Sequence, residues 1–396
     1  EASLQDPVLR PAARFSQTLQ HAAIPRATTP SPQSAQCVER ENNMRKERSS
    51  ITPSTPFKQI YMQFYIDPDS FPTMIYSIGK DDVGAAFKSL QKVGAALVNN
   101  PAKKATLKNL HCFLAVNYIW DTTSDIGLEQ ATLRLISEQF RRPKFMFATS
   151  HVLLICELEQ ELAANDIQRT AENNDHLGKE IIDIFWALKK DLPQALYPFP
   201  ENDDTFVHRV LHSMLSTIFQ DFKTVWANKA ATGSRERREE DGKEGWCPDL
   251  QVIKNDVAVM YLKVKSLEST TAHEYLADRW KLASLAKDEL DACYRKHISL
   301  PFMTIVQVYG RKLEVYTMLL QNGIYHMAQQ FQVYVPCDRA DGAAIRPCLS
   351  ALYSVKMWLS GLCLPPSYQS INSRSPPQEL SDIKTSQLTL SKRKLF

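Results

Sequence analysis

Asp249, Lys263 and Lys265 are the side chains of this 396-residue chain whose types and spacing could do chemistry together. Asp249 follows Pro248 and opens the run Leu250-Gln251-Val252-Ile253, and a second apolar run from Val257 ends on the two lysines. Both runs are rich in β-branched residues and flank Lys254-Asn255-Asp256, so they read as a β-hairpin. With a period of two, Val257, Val259, Tyr261, Lys263 and Lys265 share one face, and Ala258, Met260, Leu262 and Val264 the other. The hairpin therefore returns two lysines to the neighbourhood of one aspartate. A carboxylate with a neighbouring lysine can hold a divalent cation and stabilise charge during attack on a phosphodiester. One carboxylate with two lysines carries a net positive charge and favours an anion.

The surrounding residues extend the pattern. In order come Glu201 and Asp204 at a helix start, a polar Ser234-to-Arg238 loop, Pro248-Asp249, Lys263-Val264-Lys265, Asp278 with Lys281, Gly323-Ile324-Tyr325 and Pro336. This order resembles the PD-(D/E)xK nuclease-like superfamily, and more particularly nuclease-like domains common in fungal genomes, over residues 201–336. The resemblance implies a mixed β-sheet flanked by helices, with Asp249 and Lys265 in catalytic positions and Mg²⁺ or Mn²⁺ as the cofactor of an active member. The position that should carry the second acid holds Lys263. Two unit charges ~4 Å apart interact by about 4 kcal/mol at an effective dielectric near ~20, so a base there repels the metal that Asp249 would ligate. Metal-dependent cleavage is expected to be lost or impaired unless Glu201, Asp204, Glu268, Glu274 or Asp278 supplies the acid. With cleavage lost, Lys263, Lys265 and Lys281, joined by Arg235, Arg237 and Arg238, are the candidate phosphate-binding set for DNA or RNA. Exposure of two lysines at a strand end is the plain alternative.

Other candidates carry less. His208 and His212 lie one helical turn apart, but no Glu follows His208 in the HExxH manner and no third ligand is signalled, so helix-surface or core histidines are the reading. Tyr309, Tyr316, Tyr325 and Tyr334 could stack on bases, although strand packing explains them more simply. No GxSxG, P-loop or GxGxxG is present, which disfavours α/β-hydrolase, P-loop and dinucleotide-binding readings.

Five segments must position these residues. Residues 1–56 are rich in Pro, Ser, Thr, Gln and Arg and read as a disordered arm, and 365–396 as a disordered tail. Between 57 and 200, three- and four-residue apolar spacing predicts helices over 83–98, 107–120, 128–140, 151–164 and 177–190, a mainly helical accessory region able to bind a protein partner. The nuclease-like domain is expected over 201–340. It has a helix from Thr205 to about Asn228 capped by Asn202 or Asp203, a charged loop over 231–245, the hairpin, a helix from Glu274 to about His297, and strands over 303–309, 313–319 and 323–335. A helical extension covers 341–364.

Whole-chain properties bound the rest. Lys and Arg exceed Asp and Glu by only three, so any basic surface is local. Eight cysteines (Cys37, Cys112, Cys156, Cys247, Cys293, Cys337, Cys348 and Cys363) form no CxxC pair, against a zinc finger or a disulfide framework. No apolar run reaches the length of a membrane span, and the chain reads as intracellular with no membrane partner. Arg45-Lys46-Glu47-Arg48 and Ser391-Lys392-Arg393-Lys394 are candidate nuclear-import runs, with solvated charge as the plainer reading. The chain begins at Glu1 rather than Met, so an upstream segment is allowed for.

Overall fold

The structure is a computed structural model that describes residues 66–100, 109–124, 126–167, 174–194, 203–226, 229–239, 245–266 and 272–364. The arm, the tail, both basic runs, Glu201 and Glu268 lie outside the described residues. The core is a seven-stranded mixed sheet with helices packed on it, an α/β architecture. A short ribbon, β1 (Ser77–Ile78) with β2 (Asp81–Asp82), precedes α1 (Val83–Asn99), whose first turn is capped by the Asp82 carboxylate accepting from the Ala85 amide at 2.9 Å. Next come α2 (Leu110–Val116), β3 (Ile119–Asp121), α3 (Gln130–Phe140), α4 (Thr149–Ala163) and α5 (His176–Asp191).

Helix α6 begins at Asp203–Phe206, widens into a π-helical turn at Val207–Leu211 and returns to α geometry at His212–Ile218. Then follow β4 (Lys223–Trp226), α7 (Thr232–Glu239), β5 (Leu250–Lys254), β6 (Val257–Lys265), α8 (Ala272–Arg295), β7 (Met303–Tyr309), β8 (Lys312–Gln321), β9 (Ile324–Tyr334) and α9 (Gly342–Ser360). Strand order is β3-β9-β8-β7-β6-β5-β4, with the β3·β9 and β6·β7 pairs parallel and the others antiparallel.

The hairpin is present as the period-two pattern predicts. Its turn residues Asn255 and Asp256 both take positive φ, 51° and 61°, as a two-residue turn that matches strand twist requires. Asn322 and Gly323, at φ 51° and 77°, join β8 to β9 in the same way. Register places Lys263 beside Gln307, and Gln307 beside Glu314, so one face of β6-β7-β8 carries a polar row. Helix α8 covers that face: Tyr261 of β6 donates to Glu289 of α8 at 2.8 Å, and Arg279 of α8 reaches Glu314 at 2.6 Å. The opposite face, with Leu262, Val306, Val315 and Phe331 in register, is apolar. There Trp358 of α9 stacks on Phe331, centroids 5.6 Å apart, and α4 and α6 pack against α9.

Three sequence expectations are corrected. The helix expected to run to Trp120 ends at Val116, because Tyr118 turns the chain at φ 62° and Ile119-Trp120-Asp121 pairs with Tyr325-His326-Met327. The helix expected to reach Asn228 stops at Ile218, and the β-prone Lys223-Thr224-Val225-Trp226 becomes the far edge strand. The charged stretch after Ala231 is a helix, not a loop. Gly233 lets α7 lie against α8 so closely that a Cβ there would sit 2.6 Å from the Asp288 carbonyl oxygen, and ion pairs from Glu236 to Lys296 and from Arg237 to Asp288 fasten it. The described residues belong to one compact unit, in which the largely helical stretch before 200 contributes an edge strand to the sheet.

Candidate functional site

At the end of β6, the two lysines meet two different aspartates. Lys263 Nζ donates to Asp249 Oδ1, and the Val264 amide donates to Asp249 Oδ2 at 2.7 Å. Lys265 Nζ donates to Asp203 Oδ2 at 2.6 Å, and the Ser266 amide to Asp203 Oδ1 at 2.7 Å. Each carboxylate thus takes one ammonium and one backbone N–H. Asp249 is aimed by the hairpin itself, since its own amide donates to the Leu262 carbonyl at 2.9 Å. Asp203 is aimed by the first turn of α6, and Asp204 beside it is exposed to solvent. The described acid at the start of α6 that meets the sheet is therefore Asp203; of the two to which the sequence pattern pointed, Asp204 faces solvent and Glu201 lies outside the described residues. The signal was present in the run Asn202-Asp203-Asp204, but helix periodicity alone does not say which of three adjacent polar residues faces the sheet.

Asp278, two turns into α8, completes the site. It is nine-tenths buried, and its Oδ2 has no hydrogen-bond partner. Burial raises its pKa; the charges of Lys263, Lys265 and Lys281 oppose that shift, and Asp249 adds to it. Lys281 Nζ donates to the Cys247 carbonyl at 3.1 Å. For Lys265, burial works against the charged form, but the hydrogen bond and charge of Asp203, with Asp278 and Asp249 behind it, raise its pKa overall. Lys263, Lys265, Asp249 and Asp203 are between 16% and 28% exposed at their side chains, so the cluster opens to solvent.

Three carboxylates against three ammoniums leave this cluster neutral, where the sequence expectation was a net positive site. The remaining members of the expected phosphate-binding set lie elsewhere. Arg237 Nε sits 3.1 Å from Asp288, ~15 Å further along α8, and Arg238 stacks over the Trp246 ring at 4.1 Å. Arg235 is exposed on α7, and Glu274 lies in the first turn of α8. His208 and His212 lie ring against ring with centroids 5.7 Å apart, and His212 also packs at a tilt on Trp226, 4.9 Å away. Of the four tyrosines, Tyr316 and Tyr325 are buried and Tyr334 is exposed.

A divalent cation does not fit these residues. Both oxygens of Asp249 and of Asp203 are engaged by ammonium and amide donors, and the Lys263 ammonium binds the carboxylate that would ligate the ion. Among the described residues no group of three or more His, Cys, Asp or Glu side chains is placed to hold a metal. Nor is any described helix long and apolar enough to cross a membrane.

The cluster adjoins a second buried charge network that the sequence did not reveal. Arg279 bonds to Glu314 and to the Tyr275 and Tyr316 hydroxyls, and lies 3.9 Å from Asp121 on the edge strand. Although burial works against the charged Glu314 carboxylate, Arg279 and Lys312 hold its pKa below the usual range. Gln307 stands between the two networks, accepting from Arg279 Nε at 3.4 Å and donating to the Tyr275 carbonyl at 2.9 Å. Comparisons of this chain with protein-family models, with curated proteins and with solved structures return no match.

Proposed function

We propose that residues 201–340 are a nuclease-derived domain of the PD-(D/E)xK type whose metal-dependent cleavage is lost, and that the protein associates with DNA or RNA. The observation that carries this reading is the Lys263–Asp249 pair: a tethered ammonium takes the carboxylate that a cation would need. The mixed sheet, the Asp249-bearing hairpin and the acid at the start of the preceding helix are what such ancestry would leave behind. A site built this way holds its charges by internal pairing and presents a solvent-facing cluster of ammonium groups beside carboxylates.

Cleavage and binding are tested separately. Incubated with supercoiled DNA or with RNA and Mg²⁺ or Mn²⁺, the protein is expected to leave both intact; cleavage that disappears in Asp249→Ala would overturn the silent-site reading. Association with oligonucleotides is expected at low salt and should weaken steeply as salt rises. If neither DNA nor RNA binds even at low salt, the nucleic-acid reading fails. A second reading, a protein-interaction module on a nuclease scaffold, is favoured by the exposed apolar side chains of Leu135, Met146, Leu153 and Trp186 on the helical stretch. A partner lost on changing these residues would support it.

A further inference from the structure

Asp278 poses a problem that the neutral cluster does not solve. Its Oδ2 is buried and accepts nothing, although Lys263, Lys265 and Lys281 all lie close enough to act on its charge. Asp249 and Asp203 each fill both oxygens, so they already have their complement of donors. A phosphodiester brings only acceptor oxygens, and against an ionised Asp278 it would meet repulsion from a third carboxylate. A carboxylic acid at Asp278 removes that repulsion and tips the balance of the cluster to one net positive charge.

We propose that Asp278 is the proton-taking group of this site: with Oδ2 protonated, the cluster of Asp203, Asp249, Lys263, Lys265, Asp278 and Lys281 binds a phosphodiester, and binding takes up one proton. This rests on the nucleic-acid reading above and adds to it a direction of pH dependence. The groups facing Asp278 are Lys263 and Lys265 from β6, Asp249 from the start of the hairpin, and Lys281 from its own helix. Lysines keep their protons at neutral pH and below, and Asp203 and Asp249 have both oxygens engaged by donors, so the carboxylate of this cluster left to take up a proton on acidification is that of Asp278. The balance is simple: one proton leaves the buffer, bonds to Oδ2, and no other bond is made or broken.

The experiment is a titration of the full chain with a fluorescent single-stranded DNA and the RNA of the same sequence, at fixed low salt and at several pH values. Affinity for both should rise as pH falls, by up to about tenfold per pH unit. Asp278→Asn, permanently neutral, should bind tightly at every pH with that slope removed. Calorimetry of the unmodified protein in two buffers of different ionisation enthalpy should report uptake approaching one proton per bound strand, a readout that needs no variant. A pH slope unchanged in Asp278→Asn, or binding without proton uptake, overturns the proposal and leaves the nucleic-acid reading standing. So does a preference for RNA over DNA that grows with pH, which would assign the unfilled oxygen to a ribose 2′-hydroxyl. Absence of binding by both proteins at every pH removes the nucleic-acid reading itself.

Discussion

Lys263 decides the chemistry of the site, because one ammonium at that position changes what Asp249 can do. With Lys263 in place, Asp249 is a partner in an ion pair; with a carboxylate there, it would be half of an acidic pair. Lys263→Glu should therefore destabilise the metal-free protein, on the order of 1–3 kcal/mol, by leaving two carboxylates side by side near the sheet. Mn²⁺ at ~100 times its dissociation constant should return about 2.7 kcal/mol, seen as a rise in Tm that the parent protein does not show. A variant whose Tm ignores Mn²⁺ would mean that the Asp249 position no longer resembles a ligand site. The Asp249–Lys263 juxtaposition was legible in the sequence, since strand alternation and a two-residue turn fix both positions. Asp203 and the unfilled oxygen of Asp278 were not, because they depend on how two helices are rotated about their axes.

Elements explain why charge was misjudged. Helix α8 carries Tyr275, Arg279, Lys287, Asp288 and Glu289 into contacts with the sheet and its neighbours and buries Asp278, so polar residues do not mark its solvent side. A periodicity argument assumes that they do. The same assumption turned α7 into a loop: Arg235-Glu236-Arg237-Arg238-Glu239 has no apolar stripe, yet it folds as a helix because Arg237 and Glu236 find opposite charges on α8. Strands were easier, since β7, β8 and β9 combine β-branched and aromatic residues with turns at Gly310 and at Asn322-Gly323. The α7–α8 contact yields a prediction of its own. Gly233→Ala puts a methyl group 2.6 Å from the Asp288 carbonyl and should cost about 1–3 kcal/mol by urea denaturation. A change near zero would show that α7 can lift from α8 without consequence.

For the whole molecule, two buried groups pull stability in opposite directions as pH changes. His326 is fully buried among Tyr76, Trp120 and Phe140, and burial, opposed only by the backbone at Gln321, lowers its pKa from 6.5 to about 3. Below pH 6.5 the unfolded chain takes a proton that the folded state refuses, so His326 costs stability progressively as pH falls toward 3. Asp288 is the reverse case. Burial, against the opposing charge of Arg237, raises its pKa from 3.8 to about 7, so the folded state holds its proton longer and stability is lost as pH rises through that window. Relative to the parent, His326→Phe should gain up to about 1.4 kcal/mol per pH unit on acidification between 6.5 and 4, and Asp288→Asn should lose up to as much. Denaturation curves at several pH values test both; slopes equal to the parent's in either variant would reject that residue's part.

The π-helical turn at Val207–Leu211 has a bearing on how the site could arise or vanish. It amounts to one residue more than an α-helix would need between Asp203 and the apolar side chains of Met214, Leu215 and Ile218 that anchor α6. Each helical residue turns the chain by about 100°. Deleting one residue within the turn would leave those anchors seated and rotate the helix start, carrying Asp203 away from Lys265 and Ser266. The Asp203 contact thus depends on sequence length as much as on sequence identity, and a single codon gained or lost in this helix would connect or disconnect its acid from the sheet.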